Sequence, residues 1–366
     1  MAVASGPARS RVLLFTSGPW EGGAGADTQL AASIVDCMPE REFLWFTRWP
    51  PHGPPGAARG RGVPIVTRDG APHIPERLQA ALAGSVLARR TDLVHAILTI
   101  GRSYPLYSRL RRGLLGGGPV IHTVPGVMDM GLLDGARPLG VTVALSEATA
   151  GRLRAAGFAD VRVIPPVIPL DRWPWRPRAS GTPLVLFAGH HDAQGGAHEA
   201  IAAAAQAHRS GTRLRLVLAM RGRPGQNVRA LEAALRALAA QQGLPGIDVR
   251  GHVPDMPGLL AAADVLLFPP RSLGGKADLP FVVLEALATG RPVILSDLPQ
   301  FAALGDAGLR APVGDRLRTG ELLTRLLEQP QRWEMLARRG RATVEKRFGP
   351  ECFRAQYERL YQEALA

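Results

Sequence analysis

The sequence predicts an α/β protein built from two doubly wound domains, and three observations lead to this expectation. Short apolar segments alternate with helical patterns through both halves of the chain, as in parallel βαβ units. The length of 366 residues favours two domains of ordinary size. A proline-rich, turn-forming stretch at residues 173–181 predicts a linker between residues 1–172 and 182–348.

The composition is typical of a globular protein, with 46% hydrophobic and 20% charged residues. A formal net charge of +13 raises the question of a nucleic-acid or anionic membrane partner. Lysine occurs only at Lys276 and Lys346, and the arginines are scattered without a basic–aromatic module. We therefore expect no nucleic-acid partner and keep peripheral contact with a membrane surface as an open alternative.

The cysteine count and the N-terminus indicate where the protein works. Cys37 and Cys352 form neither a disulfide framework nor a metal-ligand spacing, which suits a reducing compartment. Residues 1–11 lack the apolar core of a signal peptide, and no apolar run reaches membrane-spanning length. The expectation is a soluble cytoplasmic protein, with attachment to the inner face of the membrane as the alternative.

In the first half, strands alternate with helices. Strands are predicted at residues 11–16, 43–46, 63–67, 93–98, 120–124 and 141–145, and helices at 27–37, 75–89, 104–115 and 147–156. A glycine-rich loop containing Gly23 and Gly25 follows the first strand. Such a loop lets backbone amides approach an anion, but its spacing is not a dinucleotide fingerprint and also fits a plain turn.

The second half repeats the alternation. Strands are predicted at residues 183–188, 214–220, 247–250, 263–270 and 292–295, and helices at 197–208, 227–242, 255–262, 280–290, 321–328, 332–348 and 350–365. Ligands of such sheets bind at the carboxyl ends of the strands.

Residues 274–297 organise the second half. After a strand and a turn containing Gly274, Gly275 and Lys276, a helical pattern begins near Pro280, with Asp278 as the expected N-cap. The positive end of such a helix attracts an anionic ligand. Glu285 lies two turns beyond Asp278, so both side chains are expected to face one cleft. From spacing alone, a solvent-facing Glu285 is an equally good interpretation.

The segment LPFVVLEALATGRPVILSD resembles the donor-site helix of retaining GT-B glycosyltransferases of family 4. This resemblance implies two facing Rossmann-like domains with a cleft between them, and a terminal helix at 349–366 that crosses back onto the first domain. It also implies transfer of a sugar from a UDP- or GDP-linked donor, with retention and with neither metal nor cofactor. Glu285 matches the glutamate that holds the donor ribose in that family.

Four positions depart from the pattern of the resembled family. Ala277 replaces the glutamate that normally contacts the transferred sugar, and Pro125 replaces a donor-site histidine. His190 and Gly195 replace an arginine and a lysine that neutralise the donor diphosphate.

The expected stand-ins give three candidate catalytic residues. Asp278 or Lys276 takes the place of the missing glutamate, and Lys276 is also the favoured diphosphate contact, although an exposed loop lysine fits equally well. His122, three residues before Pro125, is the third candidate, and a purely structural histidine is its alternative.

The remaining expected donor contacts come from loops that follow strands. Arg221, Arg223 and the helix N-terminus are further sources of positive charge for the diphosphate, and the turn after residues 247–250 is expected to receive the base. The full set of donor-binding candidates is Gly23, Gly25, Gly189, His190, Arg221, His252, Val253, Leu279 and Glu285.

Two rival functions remain open, because the motif is altered. One is another reaction of a nucleotide-activated sugar on the same fold, such as a coupling or an epimerisation. The other is a catalytically silent subunit that partners an active transferase. The acceptor, a small molecule or a lipid-linked one, cannot be read from the sequence, and a homo-oligomer is a further open alternative.

Overall fold

The computed structural model describes residues 10–16, 25–48, 60–65, 74–178, 180–223 and 225–366. The chain divides into two compact units. The first unit comprises the chain up to Val167, the short segment Gly274–Asp278 and the C-terminal segment Pro350–Ala366. The second unit comprises Ile168–Leu273 and Leu279–Gly349.

The described part of the first unit is built on a seven-stranded sheet whose paired strands are all parallel. Its strands are β1 (Arg11–Thr16), β2 (Glu42–Arg48), β3 (Gly60–Ile65), β4 (Leu93–Ile97), β5 (Val120–Val124), β6 (Val141–Ala144) and β7 (Val161–Val163). Its helices are α1 (Ala26–Cys37), α2 (Ile74–Ala88), α3 (Tyr104–Arg109), α4 (Arg111–Leu115), α5 (Glu147–Ala155), α12 (Pro350–Leu365) and the 3₁₀ helix Met130–Gly135. The strand order β3-β2-β1-β4-β5-β6-β7 reverses direction between β1 and β4.

Buried hydrogen bonds hold α12 in the first unit. The ring of His95 in β4 lies 2.6 Å from the Tyr361 hydroxyl and 2.7 Å from the Thr123 hydroxyl. Thr123 in turn lies 2.9 Å from the Tyr357 hydroxyl. Burial lowers the pKa of His95 to about 3, so its imidazole is neutral. Each ring nitrogen has a hydroxyl partner.

The described part of the second unit is built on a six-stranded parallel sheet. Its strands are β8 (Leu184–His190), β9 (Arg215–Arg221), β10 (Asp248–Arg250), β11 (Val265–Phe268), β12 (Val293–Ser296) and β13 (Leu309–Ala311). Its helices are α6 (Ala197–Arg209), α7 (Val228–Gln241), α8 (Met256–Ala262), α9 (Phe281–Ala288), α10 (Arg316–Glu328), α11 (Pro330–Arg347) and the 3₁₀ helix Pro299–Ala307. The order β10-β9-β8-β11-β12-β13 reverses at β8.

The two parallel sheets confirm the predicted α/β class, whereas several element boundaries were wrong. The helix expected at 104–115 is divided at Leu110 into α3 and α4. Helix α10 begins at Arg316, five residues earlier than expected, because the Asp315 carboxylate caps it by accepting from the Arg318 amide. Among the described residues, none of the helices combines the length and the apolar character needed to cross a membrane.

A fully buried arginine forms hydrogen bonds to several segments of the second unit. The Arg291 guanidinium donates to the carbonyl oxygens of Ala263, Pro177 and Thr289, at 2.9, 3.2 and 3.3 Å. It lies over the Trp333 ring, 5.1 Å from its centroid. Burial lowers the pKa of Arg291 to about 10, so the side chain stays charged at neutral pH.

Replacing Arg291 by methionine is expected to destabilise the protein, because several buried carbonyl oxygens lose their donor at once. We expect the free energy of unfolding to fall by about 3 kcal/mol or more. Urea denaturation followed by tryptophan fluorescence measures the loss. The matched control is Arg339→Met on the exposed face of α11, and equal stabilities of the two variants would contradict the role of Arg291.

Candidate functional site

The carboxyl edge of the second sheet carries the candidate site. His190 ends β8 and Arg221 ends β9, and the two residues are direct partners in the strand register. Gly189, also a half-buried candidate, pairs with Met220 one residue earlier. Because β8 is the strand at which the order reverses, its carboxyl end is where a doubly wound sheet opens to a ligand.

The loop between β8 and α6 is held tightly at this edge. The backbone amide of His191 donates to the Arg221 carbonyl oxygen at 3.1 Å, and the side-chain amide of Gln226 donates to the His191 carbonyl oxygen at 2.7 Å. Gly196, the N-cap of α6, has a φ of 97°. A Cβ there would lie 2.5 Å from the Pro269 carbonyl oxygen, so only glycine allows this approach.

The two adjacent histidines of this loop lie in different environments. His191 is buried, and its Nε2 has no hydrogen-bond partner among the described residues. Burial lowers the pKa of His191, which favours the neutral imidazole. His190 is half-buried and interacts with other residues. At neutral pH, His191 therefore does not replace the missing arginine and lysine as a fixed positive charge.

Glu285 lies in the middle of α9, among side chains that are almost all apolar and buried. Its own side chain is half-buried, which excludes the fully solvent-facing interpretation. None of the hydrogen bonds between described residues reaches the Glu285 carboxylate. Burial raises the pKa of this carboxyl to about 7, although the charge of Arg221 at the end of β9 acts in the opposite direction.

Asp278 does not have the predicted role at the start of α9. Pro280 is the N-cap of α9, and no side chain caps this helix. The Asp278 carboxylate instead accepts hydrogen bonds from the hydroxyls of Ser146 and Thr149, the latter at 2.8 Å. These residues start α5, so Asp278 is bound inside the first unit, whereas Glu285 belongs to the second.

The burial of Asp278 raises the pKa of its carboxyl group. The side chain is only 4% exposed, and burial raises its pKa although both hydroxyls favour the charged form. Its carboxylate oxygens already have protein partners, so a contact with the transferred sugar would require exchanging them. These contacts favour a structural role for Asp278, and its contact with the transferred sugar stays a prediction.

Lys276 lies two residues before Asp278, in the same short segment of the first unit. The side chain is half-buried and already has an interaction partner. The Lys276 carbonyl oxygen lies so close to Gly126 that a Cβ there would be 2.1 Å away. The Asp278 amide donates to the Pro125 carbonyl oxygen at 2.8 Å. The segment is thus held against the loop that follows β5.

The surroundings of His122 favour the structural interpretation over the catalytic one. The side chain is completely buried in β5, where Nε2 donates to the Leu98 carbonyl oxygen at 2.9 Å and Nδ1 lies 3.1 Å from the Tyr104 hydroxyl. The ring also stacks on Tyr104, with centroids 5.2 Å apart. Burial lowers the pKa of His122 to about 4. Both ring nitrogens have protein partners, and a catalytic role for His122 would require exchanging them.

The remaining candidates differ in how exposed they are. Gly23 lies outside the described residues, whereas Gly25 is exposed and is the N-cap of α1. His252 is exposed and Val253 half-buried, both just after β10. Leu279 is buried, so its side chain packs in the interior.

The prediction from sequence missed a cluster of charge beside the first turn of α6. Glu199 is buried, and its Oε1 accepts from Arg271 at 2.7 Å and lies 3.5 Å from Arg316. Burial raises the pKa of Glu199, but its contacts with the arginines outweigh burial and leave the pKa lowered. Two arginines against one carboxylate leave a net positive charge here. The only sequence signal was an arginine directly after the apolar segment 263–270.

Residues 182–329, which include the β8–α6 loop, Arg221 and α9, match a protein-family model described as glycosyl transferases group 1. This region resembles group 1 glycosyl transferases. The matched region covers most of the second unit and none of the first except Gly274–Asp278. No curated protein matches the chain with significance.

Solved structures of glycosyltransferases are similar to the chain along nearly its whole length. HepE from Anabaena, in complex with UDP and glucose, is 16% identical with a TM-score of 0.75, covering 97% of this chain and 100% of its own. Sucrose-phosphate synthase from Thermosynechococcus elongatus is 17% identical with a TM-score of 0.74, covering 97% and 98%. A UDP-forming trehalose-phosphate synthase from Burkholderia xenovorans is 14% identical with a TM-score of 0.71, covering 98% of each chain. The fold is that of GT-B glycosyltransferases.

The raised pKa of Glu285 predicts a stability effect that needs no substrate. Because its folded-state pKa of about 7 lies above the ordinary 4.5, the wild-type protein loses stability as the pH rises between these values. Glu285→Gln avoids this loss. We expect the variant to be more stable than wild type by an amount on the order of 1–3 kcal/mol above pH 7, and equally stable below pH 4.5.

Urea denaturation of both proteins across this pH range measures the difference. The control is Glu321→Gln, because Glu321 forms a surface ion pair with Arg318 on α10. A stability difference that does not depend on pH would show that the Glu285 carboxyl is as well solvated in the folded protein as in the unfolded chain.

Proposed function

We propose that the protein is a retaining glycosyltransferase of the family 4 type, which moves a sugar from a nucleoside diphosphate sugar to an acceptor that is not yet identified. The observation that carries this proposal is the half-buried Glu285 carboxylate, which accepts no hydrogen bond from the described residues. A buried carboxylate without hydrogen-bond donors is costly in the free protein. It lies within the region that matches group 1 glycosyl transferases.

Glu285 is proposed to accept hydrogen bonds from the ribose hydroxyls of the donor. A vicinal pair of hydroxyls offers two donors to one carboxylate, and these bonds favour its charged form. Donor binding is therefore expected to lower the pKa of Glu285 and to strengthen as the pH rises through 7. The UDP and UDP-glucose complexes of HepE support a uridine nucleotide as the first donor to test.

The diphosphate is proposed to be held by charge from the chain, without a metal ion. Arg221 at the end of β9, Arg271 beside α6 and the N-terminus of α9 lie in the second unit, and Lys276 is the further candidate. Preorganised positive charge stabilises a leaving diphosphate without a strong base. His252 and Val253 are proposed to border the base, and the glycine loop that includes Gly25 is proposed to border the acceptor.

A catalytically silent subunit is the second candidate, and the bonding of Asp278 favours it. The position of the family's sugar-contacting glutamate is occupied by Ala277, and the neighbouring carboxylate is bound by Ser146 and Thr149. A protein of this kind would bind nucleotide without turning over the donor.

Donor hydrolysis and nucleotide binding distinguish the two candidates. A thermal-shift screen with UDP, GDP and their glucose conjugates identifies the nucleotide, because a ligand of the folded state raises the melting temperature. Slow release of glucose from the stabilising donor supports the transferase. Stabilisation without any release supports the silent subunit, and the absence of both overturns the proposal.

Glu285→Gln is expected to weaken nucleotide binding by about tenfold or more, because a neutral amide is a poorer acceptor for two hydroxyls. Isothermal titration with UDP measures the loss at pH 8, where wild-type Glu285 is charged. Glu321→Gln should bind like the wild type. Unchanged binding by Glu285→Gln would remove Glu285 from the site.

Lys276→Ala tests the proposed diphosphate contact, and Lys346→Ala is its matched control because these are the only lysines of the chain. We expect Lys276→Ala to lower affinity for UDP by about tenfold, as expected for a lost charge-assisted contact, and to leave affinity for uridine unchanged. Equal losses for both ligands would indicate a general disturbance, and no loss for either would exclude Lys276.

A further inference from the structure

An exposed apolar face in the first unit is not used by the proposed function. It consists of Leu78, Leu82 and Val86 on α2, together with Leu106 and Leu110 on α3 and at its end. We refer to these five residues as the leucine face. Each has more than half of its surface exposed, and Leu82 reaches 69%.

The spacing places the three residues of α2 on one side of that helix. They recur every four residues, which aligns them along the helix surface. The opposite side of α2 packs inward, with Ala80 and Ala88 in the buried cluster. A surface helix normally presents polar residues to water, so α2 has an apolar outer side in addition to the usual apolar inner one.

The helices that form the leucine face cover the same side of the sheet. Ala80 of α2 and Leu115 of α4 share one buried cluster with Phe15 of β1. The Phe15 ring stacks on Tyr107 of α3, with centroids 5.8 Å apart, and also lies directly beneath Gly84 of α2. Helices α2 and α3 therefore pack over the same buried side chain of β1, and both carry exposed apolar residues.

Most charged residues in the stretch of sequence that carries these helices are positive. Between residues 78 and 118 the only acidic residue is Asp92, whose carboxylate accepts from the Arg11 backbone amide at 2.7 Å. The same stretch contains Arg89, Arg90, Arg102, Arg109, Arg111 and Arg112. No ion pair between described residues neutralises any of these six arginines. Many arginines of the second unit, in contrast, pair with carboxylates, as Arg178 does with Asp264.

We propose that the leucine face and its arginines bind the surface of an anionic lipid bilayer. Leucine and valine side chains can enter the boundary between headgroups and acyl chains, while arginines contact anionic headgroups and keep their charge in water. The leucine face fits a protein partner less well, because it contains no aromatic side chain and protein interfaces are enriched in aromatic residues at their centre. This inference does not depend on the proposed function.

Vesicle co-sedimentation of the full-length protein tests the inference. We expect binding to vesicles of phosphatidylcholine with 30% phosphatidylglycerol and little binding to pure phosphatidylcholine. Raising the salt concentration from 0.1 to 0.5 M should weaken binding several-fold, because salt screens the contribution of the arginines.

Two double variants locate the binding surface. Leu82→Gln with Val86→Gln removes apolar contacts, and Arg109→Gln with Arg112→Gln removes charge. Each is expected to lower the vesicle partition coefficient by about tenfold, with melting temperatures close to wild type because all four side chains are exposed. The matched controls lie in the second unit: Leu317→Gln, on an exposed leucine of α10, and Arg339→Gln, on an exposed arginine of α11.

Three outcomes overturn the proposal. The first is no binding to anionic vesicles at 0.1 M salt. The second is binding that both double variants retain, which would place the contact elsewhere. The third is a wild-type dimer in sedimentation velocity that Leu82→Gln with Val86→Gln dissociates without changing vesicle binding, which would assign the face to a second copy of the chain.

Discussion

The proposed site in the second unit depends on a carboxylate that lies among apolar side chains and accepts no hydrogen bond from the described residues. Helix α9 buries almost all of its side chains, and Glu285 is the single acid within it. Burial raises the pKa of Glu285 to about 7, with Arg221 as the opposing charge. If this residue served folding alone, an apolar side chain would serve better. The unfavourable placement is the kind that functional sites retain.

The parallel sheet explains why residues distant in sequence lie close together at the candidate site. In a parallel sheet all carboxyl ends meet at one edge, so His190 and Arg221 become neighbours although 31 residues of sequence separate them. The loop from His191 to Gly196 is then fixed by backbone contacts to β9 and to Pro269. Backbone contacts thus fix the shape of this edge. The edge keeps that shape although His190 and Gly195 stand where the resembled family has an arginine and a lysine.

The sequence predicted the parts of the fold that depend on local patterns. The alternation of apolar strands and helices was enough to predict both parallel sheets. The segment around Glu285 was enough to predict a resemblance to glycosyltransferases, and residues 182–329 match a model of group 1 glycosyl transferases. The side-chain contacts that the sequence did not predict have a common feature, because they join residues far apart in the chain. The Asp278 carboxylate finds its partners 132 and 129 residues away, and the His95 ring is bound to Tyr361 266 residues away. No local pattern contains such pairs.

His122 illustrates the same limit. The sequence pattern around a histidine at the end of a strand is the same whether its side chain faces a ligand or the interior. Only the position of Tyr104 and the Leu98 carbonyl shows that both of its nitrogens are occupied. The arginines near α6 were missed for the converse reason, because Arg271 and Arg316 become a cluster only through their shared contact with Glu199.

The most direct test of the central claim is a crystal structure of the protein with bound UDP. We expect the two ribose hydroxyls to lie within about 3.2 Å of the Glu285 carboxylate oxygens, at the carboxyl edge of the second sheet. A well-ordered UDP whose ribose contacts other residues, with the Glu285 carboxylate still without a hydrogen-bond donor, would contradict it.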